Sequence, residues 1–207
     1  MQIESTSRPH PTPLPEGEGV NTQTLALLRE WSSVCDATAE GRNHVLIRKG
    51  GIAEGRGGFE IRRTFFGLLP TLFHQVKQAH PCADAPAPPA TVTLICQLVD
   101  ACVVPSATSM DPIAAFHAYG PEQLAKRQQY KPDRPLCVMI IRAFRLRQPM
   151  EIGAGQIQTV CRSWAEVPLS TGMGGIDPVT EVALSDTAID AVRQWMRAVP
   201  DAQRLAL

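Results

Sequence analysis

The chain has 207 residues, 44% of them apolar and 19% charged, and its 20 basic and 20 acidic side chains cancel to a formal net charge of zero. This composition excludes a disordered or fibrous chain, and no apolar run approaches the roughly 20 residues that a membrane helix needs. Overall charge argues for no partner, so only local clustering of basic residues can.

Residues 1–20 alternate Pro9, Pro11, Pro13 and Pro15 with polar or charged residues. Such a segment buries too little apolar surface to offset its ordering entropy and is expected to be a disordered tail. It has no apolar stretch of secretory-signal type. RPHPTPLPEGEG is similar to the translated form of a common bacterial intergenic repeat, which makes Val20 a candidate start; an intact mass beginning at Met1 would overturn that. Residues 21–207 are expected to form one α+β domain.

Asn21 offers an N-cap, and Leu25, Leu28, Trp31, Val34, Cys35 and Thr38 recur at helical spacing, which predicts a helix ending at Gly41. Residues 43–49 (NHVLIRK) read as a strand, and Phe59 to Arg63 alternate as a second, the two forming a hairpin across the glycine-rich GGIAEGRGG. Phe65 to Phe73 is apolar but interrupted by Pro70, so it reads as a strand ending in a turn or as a short broken helix. The proline-rich stretch 77–90 is expected to be a mobile loop.

Thr91 to Val104 is a nearly continuous apolar, β-branched strand. Asp111-Pro112 opens a short helix to Phe116, and Gly120-Pro121 opens another to about Tyr130. Leu136 to Leu146 is a long strand that Met150 to Ile152 extend past Pro149. AEVPL follows Trp164, and Gly172 to Gly175 form a turn. Ser185 then caps an amphipathic helix with Ile189, Val192, Trp195 or Met196, and Val199 on one face. This order lacks the strict βα alternation of a doubly wound fold. It predicts a compact α+β fold with a mostly antiparallel or barrel-like sheet, an N-terminal helix, short middle helices and a C-terminal helix.

The six cysteines lie mostly in apolar segments and never two residues apart. This fits buried, reduced thiols of a cytoplasmic protein better than a zinc knuckle or redox pair. The glycine loop lacks a G-K-[ST] ending and is no P-loop, but its backbone N–H groups could form an anion-binding concavity beside Arg48, Lys49, Gly50, Gly51 and Arg56. Two basic segments stand out: Arg42, Arg48, Lys49, Arg56, Arg62, Arg63 and Lys77, then Lys126, Arg127, Lys131, Arg134, Arg142, Arg145 and Arg147. On neighbouring strands they would track phosphates; the alternative is that they solvate exposed sheet faces.

His74-Gln75 could hydrogen-bond the edge of a base at a pocket rim, with His117 and Tyr119 nearby and Trp164 as a stacking surface. For a magnesium nuclease the nearest pattern is Glu60-Ile61-Arg62, with arginine where lysine is wanted and Asp100 arriving late. No G-x-S-x-G or H-E-x-x-H occurs. No catalytic residue, metal ligand or cofactor is therefore assigned.

Glu30-Trp31, Leu46 to Glu54, Gly58-Phe59 and Leu68 to Gln75, followed by KPDRPLCVMIIRAFRL (Lys131 to Leu146) and CRSW (Cys161 to Trp164), resemble domain of unknown function family 1802. His117 to Gly120 (HAYG) departs from the His-Ile-Trp of relatives, and the resemblance covers roughly residues 24–168. It implies a DNA-related, restriction-type setting and no established activity. Gly41-Arg42 to Ile47-Arg48 and Val138 to Pro149 are similar to ASCH and EVE modules, which implies a PUA-like barrel. Asn43 stands where the catalytic ASCH hydrolases keep a lysine, so their activity does not carry over. The resulting expectation is a non-catalytic binding module for nucleic acid or a modified nucleotide. Its contacts would be Arg48, Lys49, Gly50, Gly51, Arg56, Arg62, His74, Gln75 and Arg142. A nuclease-like or nucleoside-hydrolysing enzyme and a protein-binding accessory factor are the alternatives.

Overall fold

The computed structural model describes residues 24–49, 58–71, 90–153, 155–157, 162–168, 178–182 and 186–206. The expected tail, residues 77–89 of the expected loop, the glycine segment 50–57, the 172–175 turn and Ser185 lie outside them.

Strand β1 (Thr24–Trp31) runs directly into helix α1 (Ser32–Ala39). This corrects the helix expected from residue 21: only its second half is helical. Leu25 and Leu27 pack into one apolar cluster while Ala26 and Leu28 pack into another, so β1 is covered on both faces. A strand buried on both sides loses its period-2 signature, and its Leu, Ala, Arg and Glu are good helix formers whose preference tertiary packing overrides. Gly41, at φ 75°, ends the helical region as expected.

β2 (Val45–Arg48) and β3 (Phe65–Thr71) follow, but no hairpin joins the segments on either side of the glycines. Residues 58–64 are irregular, and β2 pairs antiparallel with β5 (Leu136–Ile152) instead, Val45 opposite Ile140 and Arg48 opposite Cys137. β3 keeps Pro70 within it. β4 (Ala90–Val104) meets β3 only along Phe65 to Gly67, so that ladder has ended before the missing N–H matters. β1 and β3 are parallel, with Leu27 opposite Gly67. A β-carbon on Gly67 would sit 2.6 Å from Leu27 Cδ2, which explains the glycine there.

β4 and β5 pair along nearly their whole length, with a bulge where Val92 faces Met150 but Leu94 faces Arg145. Pro149 lies inside that bulge, so β5 passes it without losing a ladder bond. Between them come a 3-10 helix (Asp111–Phe116) and α2 (Pro121–Gln129), and after β5 come β6 (Trp164–Pro168), β7 (Pro178–Glu181), α3 (Asp186–Ala198) and β8 (Gln203–Arg204). On α3 the buried face is Ala188, Ile189, Val192 and Met196, so Met196 rather than Trp195 continues the stripe.

Among the described residues eight strands form one sheet of an α+β fold, ordered β2-β5-β4-β3-β1-β6 with β7 on β5 and β8 on β4, and every pairing except β1 with β3 is antiparallel. β2 and β1 are four strand steps apart, roughly 19 Å across a flat sheet. Yet the Arg48 guanidinium at the end of β2 lies 2.9 Å from Glu30 in β1 and 2.9 Å from Ser163 beside β6. The sheet is therefore curled until its ends approach, and Val45 to Ile47 share one core with Ala26, Leu28 and Trp164. Side chains, not a strand ladder, make the seam.

Candidate functional site

Glu30 occupies the seam. It follows Ala26 and Leu28 on the inward face of β1, and its side chain is wholly buried. Oε2 receives Arg48 Nη1 at 2.9 Å and the Tyr119 hydroxyl at 2.9 Å; Oε1 receives Arg127 Nη2 at 3.0 Å and the Trp31 backbone N–H at 2.9 Å. Four donors thus satisfy the carboxylate, and two of them are guanidiniums. Burial alone would raise the Glu30 pKa, but Arg127, Arg48, the Trp31 N–H and Tyr119 outweigh it and hold the carboxyl below its ordinary range. Tyr119 is pushed the other way, up, by burial and by the Glu30 charge.

The same residues close the free edge of β2. The His44 carbonyl bonds to β5, so by strand alternation Ile47 turns its backbone groups away from β5. Its carbonyl accepts from Arg127 Nη1 at 2.6 Å, and its N–H donates to the Tyr119 oxygen at 3.3 Å. An edge that could recruit another strand is covered by side chains instead. The Arg127 guanidinium also lies 4.3 Å from the Trp31 ring centroid and 4.8 Å from that of Tyr119. Flat packing of this kind suits arginine and not lysine.

Lys49, the next residue after β2, is only 3% exposed. Its ammonium donates to the Gln128 carbonyl at 2.8 Å and to Ser106 Oγ, and Ser106 Oγ donates to the same carbonyl at 2.8 Å. A cation on a carbonyl in the last turn of α2 complements the helix dipole. Burial lowers the Lys49 pKa, with Asp133 opposing. The Arg48-Lys49 pair thus fastens the end of β2 to β1, β6 and α2 just where the chain enters its glycine segment.

Among the other expected contacts, Arg62 is exposed in the 58–64 segment, which lies over the seam: Phe59 stacks on Trp164 at 6.0 Å, and the Glu60 carbonyl accepts from Trp164 Nε1 at 2.8 Å. Arg48 sits 5.6 Å from the Phe59 ring. Arg142 lies apart, sharing its guanidinium between Glu181 at 3.1 Å and Asp186 at 3.3 Å. Gly50, Gly51, Arg56, His74 and Gln75 lie outside the described residues. Trp164 is a core residue and His117 is buried, its pKa lowered by that burial. Asn43 is wholly buried, with its amide spent on Thr38 Oγ1 at 2.8 Å and on the Ala118 N–H at 3.0 Å.

Sequence reasoning missed Glu30, Arg127 and Ser163 as members of one cluster. Glu30 is separated from its partners by 18, 89 and 97 residues, so no local spacing could reveal it. Among the described residues no group of three His, Cys, Asp or Glu side chains is placed to hold a metal. Burial pushes the Cys102 and Cys137 thiols up to about 12, with Asp100 adding to the first and Cys102 to the second, so neither is a ready nucleophile. No helix among the described residues is long and apolar enough to cross a membrane.

The family model named Domain of unknown function (DUF1802) matches residues 27–188. The chain belongs to that family. Glu30, Arg48, Tyr119, Arg127 and Ser163 all fall within the matched region. No curated protein matches the chain. Among solved structures, a serine-to-alanine mutant of ZmASCH from Zymomonas mobilis is similar at 11% identity, covering 82% of this chain and 94% of that one, with a TM-score of 0.41.

Proposed function

We propose that this DUF1802 domain is a non-catalytic binding module for nucleic acid or a modified nucleotide, working in a cytoplasmic, DNA-related setting. The observation that carries the reading is the gathering of basic side chains at the seam. Two guanidiniums, Arg48 and Arg127, meet at one carboxylate, Glu30. Arg62 and Arg63, against one exposed acid at Glu60, add positive charge on the segment lying over it. Clustered basic side chains raise the local positive potential, and such a potential attracts phosphate.

In this reading Arg48 and Lys49 anchor the segment from which Gly50, Gly51 and Arg56 meet phosphate, Arg62 extends the basic track, and His74-Gln75 contact a base edge. Arg142, already held by two carboxylates, is an outlying contact. The seam network presents the phosphate-binding segment and does no bond-making itself.

The test is fluorescence anisotropy with modified and unmodified DNA and RNA oligonucleotides across a salt series. Affinity should fall linearly on a log–log plot. Reversing the exposed charges in Arg62→Glu/Arg63→Glu should weaken binding and lower the salt slope by about 1 for each arginine that meets a phosphate. These side chains lie outside the core, so folding survives the change. No binding at low salt, or a slope untouched by the reversal, would overturn the reading.

A further inference from the structure

A tight turn follows α2, closed by the Arg134 N–H on the Lys131 carbonyl. Among the described residues Tyr130 is the exposed large apolar side chain, at 37%. It is the C-cap of α2, its N–H donating to the Lys126 carbonyl at 3.0 Å. The next residue, Lys131, has φ 49°. A left-handed residue after a helix is ordinary, but glycine usually fills the position because a β-carbon is disfavoured there. Here a lysine does so immediately before Pro132, which restricts its backbone further. Its Nζ lies 5.0 Å from the Tyr130 ring centroid.

The turn is also stiff. The Arg134 N–H donates to the Lys131 carbonyl at 2.9 Å, and Pro132 and Pro135 fix two of the backbone φ angles around it. Arg134 Nη1 is buried with no hydrogen-bond partner. Lys126 is exposed one helical turn before Tyr130. Thus a rigid loop holds a part-exposed aromatic ring beside Lys131, with Lys126 one helical turn earlier. The strain at Lys131 gives the fold nothing that glycine would not give better. A strained backbone kept without structural return points to a use for the side chain.

The loop also borders the seam. Gln128, two residues before Tyr130, is the residue whose carbonyl holds Lys49, and Asp133 acts on the Lys49 charge. Resting on the nucleic-acid reading above, we infer that the Tyr130–Arg134 turn is the base-stacking element of this module and takes unpaired nucleotides of a single strand. Tyr130 offers its ring to a base, and Lys126 and Lys131 follow the adjoining phosphates. A duplex buries its bases in the stack and leaves such a ring no face to meet.

The experiment uses the full chain and a fluorescein-labelled oligothymidylate or oligouridylate of about 12 nucleotides, with a duplex of equal length alongside. Tyr130→Ala should weaken single-strand binding about tenfold, and Tyr130→Phe, which keeps the ring, should restore most of it. Lys131→Gly should leave the thermal midpoint equal or higher while weakening binding. A merely structural lysine would not separate the two readouts. Single-strand binding unchanged in Tyr130→Ala, or duplex binding without single-strand binding, would overturn this inference and leave the binding module standing. Absence of binding to every oligonucleotide would overturn both.

Discussion

Two carboxylates in this protein are each held between two arginines, and they sit in opposite surroundings. At the seam Glu30 lies between Arg48 and Arg127, whose side chains are each 12% exposed. On the other side of the sheet path Asp100 of β4 receives Arg193 Nε of α3 at 2.9 Å and Arg204 of β8, whose side chains are 34% and 52% exposed. The donor chemistry is the same. Around Asp100, water solvates the arginines whether or not the carboxylate is present, so the contacts are screened and replaceable. Around Glu30, water has little access, so the carboxylate's charge is not readily replaced. Burial turns an ordinary ion cluster into the closure of the sheet.

The largest way to sharpen that contrast is Glu30→Gln. It keeps the shape but removes the charge that Arg48 and Arg127 share where water has little access, and should cost about 3–5 kcal/mol in urea unfolding. Tyr119→Phe comes next. It removes the donor to Glu30 and the acceptor for the Ile47 N–H, and should cost about 1–3 kcal/mol by the same measurement. Asp100→Asn should cost only about 1 kcal/mol, because its arginines return to water. Equal losses at Glu30 and Asp100 would break the comparison.

Acid provides an independent approach. The folded pKa of Glu30 lies below its unfolded value near 4.5, so the stability it contributes is present above that value and is lost as pH falls through the folded pKa. Stability measured from pH 6 downward should therefore fall with acid, and Glu30→Gln should flatten that part of the curve. An unchanged acid limb in the variant would place the responsible group elsewhere.

What was legible in the sequence was what local pattern encodes. β4 and β5 announce themselves by long β-branched runs, α2 by Gly120-Pro121, and α3 by its apolar stripe. β1 was misread because TLALLREW is apolar toward both clusters and rich in helix formers, leaving no alternation to detect. The 59–63 segment alternates like a strand, yet it is spent on covering Trp164. The candidate site was half legible. Arg48 and Lys49 stood out as a basic pair beside glycines, but their partners Glu30, Ser106, Gln128 and Ser163 are common polar residues scattered along the chain. Only the closing of the sheet brings them together. Glu30-Trp31, part of the family pattern, was the one trace of the seam's carboxylate in the sequence.

The most direct measurement is a pair of double-mutant cycles in urea, Glu30→Gln with Arg127→Met and Asp100→Asn with Arg193→Met. If burial makes the seam, the first pair should show a coupling of about 2–3 kcal/mol and the second less than about 1 kcal/mol. Equal couplings, or the larger one at Asp100, would contradict the account.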